Sequence, residues 1–101
     1  MTQTERITRM EGYLNESLKA QNALAEALDR YEAAQAGYRK LEAYYAGPRW
    51  RKDYEDDEAG KIPKHLPRGV LSEDAVYDLL TEHHLLTVRM LELATKTVRG
   101  S

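Results

Sequence analysis

Cysteine and phenylalanine are both absent from this 101-residue chain, which has one tryptophan and three prolines. Without cysteine there is no disulfide, no thiolate metal site and no cysteine nucleophile. A small core that does without disulfides fits a reducing, cytosolic setting. With no phenylalanine, the aromatic part of the core falls to seven tyrosines. Each brings a hydroxyl that needs a partner when buried, so that part of the core should be half-wet and lie at helix seams. Neither sign of charge dominates: 15 Lys and Arg stand against 17 Asp and Glu, for a net −2. A strongly basic footprint for nucleic acid is therefore missing. No long apolar run exists, so no transmembrane span is expected. The stretch from Met1 to Glu11 carries charges rather than a signal-peptide pattern. These features predict a single cytoplasmic domain.

The proline distribution organises the chain. Pro48, Pro63 and Pro67 all lie in the middle, with Gly47, Gly60 and Gly69. Before them, about residues 4–46 are rich in strong helix formers. Apolar residues recur there at Ile7, Met10, Leu14, Leu18, Leu24, Leu28, Tyr31, Tyr38, Leu41 and Tyr45, mostly three, four or seven apart. That spacing marks one helix face, with Gln21 and Gln35 making the stripe partly polar. A second helix is predicted over about residues 72–99. Ser72 is a candidate N-cap, Glu73 and Asp74 suit the dipole, and Leu71 with Val76 forms a hydrophobic staple. Its apolar face holds Val76, Leu79, Leu80, His83, Leu86, Met90, Leu93, Ala94 and Val98. Asp78, Glu82, Arg89, Glu92 and Lys96 stand on another face.

The expected fold is all-α: an antiparallel long-helix hairpin, with an irregular central segment at about 47–71 packed against it. One short helical turn around Arg49 to Asp57 is allowed, and Trp50, Tyr54 and Leu66 are the expected anchors. The first helix would reach about 60 Å and the second about 40 Å. The difference leaves the stripe of Ile7, Met10 and Leu14 short of cover, which makes a homodimer one expected solution.

The central segment is also the most distinctive pattern. Leu41-Glu42-Ala43-Tyr44-Tyr45 is followed by Trp50 and by Asp53-Tyr54-Glu55-Asp56-Asp57-Glu58-Ala59-Gly60. Pro63 and Leu66 then lead into Arg68-Gly69-Val70-Leu71-Ser72-Glu73-Asp74. With the opening Glu5-Arg6-Ile7 and Met10-Glu11, this resembles a family of small bacterial and phage proteins designated domain of unknown function 4298. The resemblance covers nearly the whole chain. It implies a stand-alone helical protein and brings no catalytic residue or cofactor with it.

Each chemically suggestive cluster has a structural explanation beside it. The acids from Asp53 to Glu58 fail the calcium-loop pattern, because Glu58 and Lys64 stand where that loop needs Gly and Glu. They read instead as a solvated acidic turn, or as acids paired with nearby Arg49, Arg51 and Lys52. That basic trio around Trp50 resembles a base-stacking site, but five neighbouring acids oppose nucleic acid, and Trp50 serves better as an anchor beside Tyr44 and Tyr45. His83 and His84 are about 100° apart on the helix and cannot share a metal in the usual helical way. His83 is expected as a buried neutral residue opposite Gln35, between Tyr31 and Tyr38. The ridge of Glu26, Asp29 and Glu32 lacks a facing set of acids.

No catalytic, cofactor or metal site is assigned. The leading function is non-enzymatic binding of an unidentified protein through an outer helix face or the central segment. Trp50, Arg49, Arg51, Asp53, Tyr54, Glu55 and Leu85 are the candidate contacts, Leu85 beside Tyr77 or His84. The alternatives are a metal-dependent hydrolase of a nucleotide or phosphorylated small molecule, and a nucleic-acid-associated protein.

Overall fold

The computed structural model describes residues 1–100 and is all-helical, with no strand among them. Helix α1 spans Gln3–Ala46, α2 spans Pro48–Glu58, and α3 spans Ala75–Val98; a single 3-10 turn, Gly69–Leu71, precedes α3. By its contacts the chain divides into two units, Met1–Ala36 and the remainder from Gly37.

The first unit is the N-terminal part of α1. Thr2 opens the helix: its Oγ1 accepts from the Glu5 backbone N–H at 3.1 Å, which satisfies one of the unpaired donors of the first turn. No residue of α1 is buried. Its apolar stripe is about half exposed, from 58% at Ile7 to 45% at Leu28. Gln35 turns its amide onto its own helix, where Nε2 donates to the Tyr31 carbonyl at 3.2 Å.

The second unit is an antiparallel hairpin. The Tyr45 hydroxyl donates to the Glu73 carbonyl at 3.2 Å, and Tyr38, two turns earlier, stacks on His83 with ring centroids 4.3 Å apart. An earlier residue of α1 thus meets a later residue of α3, which defines opposite directions. His83 is half-buried rather than buried, and Tyr38 is stacked on it as expected.

The central segment is more regular than the sequence suggests. In place of one helical turn it forms the 11-residue α2. Gly47 is the N-cap in extended backbone, and Pro48 takes the first helical position, where its missing N–H costs nothing. A β-carbon at Gly47 would come within 3.2 Å of the Ala43 carbonyl, so a larger residue would crowd the turn between α1 and α2. Gly60 closes the helix at φ +75°, with its N–H on the Asp57 carbonyl and the Lys61 N–H on the Asp56 carbonyl. These two bonds form a Schellman motif.

Trp50, Leu71 and Val76 form the buried core of this unit. Leu71 and Val76, expected as a staple around a Ser72 cap, are both buried. The expected Ser72 cap is displaced: α3 starts at Ala75 with Asp74 as N-cap, and Ser72 Oγ reaches only the Asp74 N–H, at 3.4 Å. Ser72, Glu73 and Asp74, expected as the helix start, form a bend and turn between the 3-10 segment and α3. Leu66 is not an anchor. The turn closed by its N–H on the Pro63 carbonyl leaves the side chain 49% exposed, and Val70 and Leu71 do the packing.

Candidate functional site

Two features of the second unit are built from chemically distinctive residues. The first is an aromatic lock around Trp50. Its ring lies parallel to Tyr54, at 5.2 Å and 17°, and edge-on to Tyr45, at 5.0 Å and 71°. Its Nε1 donates to the Val70 carbonyl at 2.9 Å. Two phenols secure the rim. The Tyr44 hydroxyl donates to Asp53 Oδ2 at 2.6 Å, and the Tyr54 hydroxyl donates to Glu73 Oε1 at 2.7 Å. Burial, and then the bond to Asp53, pushes the Tyr44 phenol up from 10.0 to about 12. For Tyr54 the bond to Glu73, followed by burial, raises it to about 12 as well. Both phenols therefore stay protonated donors at neutral pH.

The acids of α2 are largely engaged. Asp53 holds Tyr44, Asp56 pairs with Lys52 at 3.0 Å, and Asp57 pairs with Arg68 at 2.6 Å. Asp57, Arg68, Leu71 and Glu73 line an open cleft of about 660 Å³ between α2 and the start of α3. Among the described residues, no group of three or more His, Asp or Glu is placed to hold a metal ion.

The sequence candidates accordingly separate. Trp50 is buried in the lock, and Asp53 and Tyr54 are half-buried members of it. Arg49, Arg51 and Glu55 are exposed on α2. Leu85 is exposed on α3, away from the face that carries Val76 and His83.

The second feature is the surface around Leu85. Tyr77, Thr81, His84, Val88 and Leu91 succeed one another at steps of four and three, so they form one ridge of α3, and Leu85 stands beside it. Tyr77 is 60% exposed, Leu85 56%, Val88 37% and Leu91 68%. Tyr77 also borders a recess lined by Trp50, Arg51 and Tyr54, which joins the ridge to α2. Helix α3 thus has three faces: one that carries Val76 and His83 and is exposed toward its end at Leu93 and Val98, one charged, and one uncharged and open. The uncharged sector between the inward stripe and the charged face is the sequence signal for Tyr77, Val88 and Leu91 as a group.

The fold and the open ridge define a small all-α hairpin protein with an uncovered apolar helix face. The family model described as Domain of unknown function (DUF4298) matches residues 7–93, and the chain belongs to that family. No curated protein and no solved structure matches it. No helix among the described residues is long and apolar enough to cross a membrane.

Proposed function

We propose that this protein is a non-enzymatic interaction module that receives the apolar face of a partner protein's helix along the outer ridge of α3. The observation that carries this reading is the exposure of Tyr77, Leu85, Val88 and Leu91 together on one helix, over about four turns. A single exposed leucine is ordinary, but four large exposed apolar residues grouped with Thr81 and His84 on one side of a small helical domain are a mark of an interaction surface. Helix-to-helix docking reads side chains at this three-and-four spacing. The recess at the Tyr77 end carries Arg51 together with Glu73 and Asp74, a mixed-charge rim beside the ridge.

Site-specific photo-crosslinking in cells that carry the gene tests the reading. A photoreactive side chain at Val88 should give a discrete adduct with one protein, and the same group at Arg89, about 100° around the helix, should not. Equal adducts from both positions, or none from Val88, would refute it.

A further inference from the structure

From the N-terminal unit we infer a second site, independent of the α3 ridge: residues Ile7 to Leu28 of α1 pair with the same residues of a second copy as a parallel two-stranded coiled coil. Heptad assignment places Ile7, Leu14 and Leu28 at position a, and Met10 and Leu24 at position d. All five are exposed within the chain. The flanks of this stripe carry the information about the partner. Tyr13 falls at g and Leu18 at e, and both are exposed apolar residues that the a/d stripe does not explain. In a parallel pair, a g residue meets the e residue five positions on in the other strand. Tyr13 then covers Leu18 of the second copy, and Arg6 meets Glu11 of the second copy, an opposite-charge pair made twice by the twofold axis. No ion pair of Arg6 or Glu11 occurs among the described residues. The ion pairs the helix makes with itself, Lys19–Glu16 and Arg30–Glu26, lie at c and f, on the side that stays in water.

Two polar residues lie in the seam, Ser17 at d and Gln21 at a. Gln21 falls at a, so the parallel pair sets the two Gln21 amides against each other, where they can hydrogen-bond; a polar a layer of this kind fixes register. The seven large apolar residues, each about half exposed, offer roughly 100 Å² apiece, or roughly 700 Å² per copy, close to the half-interface of a stable complex. The occupant is therefore a second copy of this chain, aligned in the same direction.

Light scattering at micromolar concentration should give twice the 11.6 kDa chain mass. Leu14→Asp should return the monomer with the Trp50 emission unchanged, since Leu14 is exposed and lies outside the unit that holds Trp50. Arg6→Glu should weaken the dimer several-fold, and Arg6→Glu with Glu11→Arg should restore it. Because the chain has no cysteine, Gln3→Cys reports direction: Gln3 falls at d, and mild oxidation should link the two strands rapidly. A monomeric mass, or a dimer that survives Leu14→Asp, overturns the site. A dimer that ignores both charge reversals, or that Gln3→Cys fails to link, overturns the parallel pairing.

Discussion

The Trp50 indole donates its hydrogen bond to the backbone carbonyl of Val70, 20 residues away, and so ties α2 to the turn that launches α3. Both the ring and the bond matter, and they can be separated. Trp50→Phe keeps an aromatic ring against Tyr45 and Tyr54 but leaves the Val70 carbonyl without this donor. The expected cost is about 1–2 kcal/mol in urea unfolding. Trp50→Ala should cost about 3–5 kcal/mol, because it also opens the core. Equal stability of the Phe variant and the wild type would mean that the bond contributes nothing.

Gly60 holds φ +75° at the end of α2, with nothing within 4 Å of a β-carbon placed there. The constraint is conformational and not steric. Gly60→Ala should destabilise the second unit by about 1 kcal/mol, read as a lower denaturation midpoint with an unchanged slope. An unaffected midpoint would argue against the Schellman closure.

Much of this fold was legible. The stripes on α1 and α3, their antiparallel pairing and the burial of Leu71 and Val76 follow from three-and-four spacing, which acts locally, whereas the cap lies at Asp74 and not at Ser72. Helix α2 was legible only as one short turn around Arg49 to Asp57, because Gly47-Pro48 and Gly60 read as breakers. In the structure they are the start and stop of a helix, since proline is favoured at a first helical position and glycine just past a last one. Leu66 looked like an anchor because it is apolar in a polar stretch, but its turn fixes its direction. The open ridge of α3 was half visible: Leu85 stood out as lying off the inward face, while Tyr77, Val88 and Leu91 emerge as one surface only once the inward face is known.

The two engaged phenols predict a stability change at high pH. The folded-state value of about 12 for Tyr44 lies above the ordinary 10.0, so the fold favours the protonated form. Its contribution is complete below pH 10 and is lost as pH rises toward 12. Tyr54 behaves alike through Glu73. Spectrophotometric titration should show Tyr44 and Tyr54 ionising late. Tyr44→Phe should remove one of them and shrink the loss of stability between pH 10 and 12. An unaltered titration in that variant would contradict the Tyr44–Asp53 bond.

Hydrogen exchange should separate the two units. Helix α1 has no buried residue, so in the isolated chain its N-terminal amides open at little cost, whereas those beside Trp50, Leu71 and Val76 exchange only on larger unfolding. Protection of residues 7–28 should rise with protein concentration as the copies pair, while that of α2 and α3 stays constant. Protection of 7–28 that does not depend on concentration would place its cover within a single chain.

The claim that the outer ridge of α3 receives another protein is tested most directly by quantitative recovery of the photo-crosslinked partner with a paired substitution. Leu85→Asp with Leu91→Asp alters two exposed residues and should leave Trp50 emission and helix content as they are. Recovery of the partner should fall at least tenfold with that double variant and stay at the wild-type level with Leu14→Asp, which leaves the ridge intact. Undiminished recovery with the double variant would contradict the account.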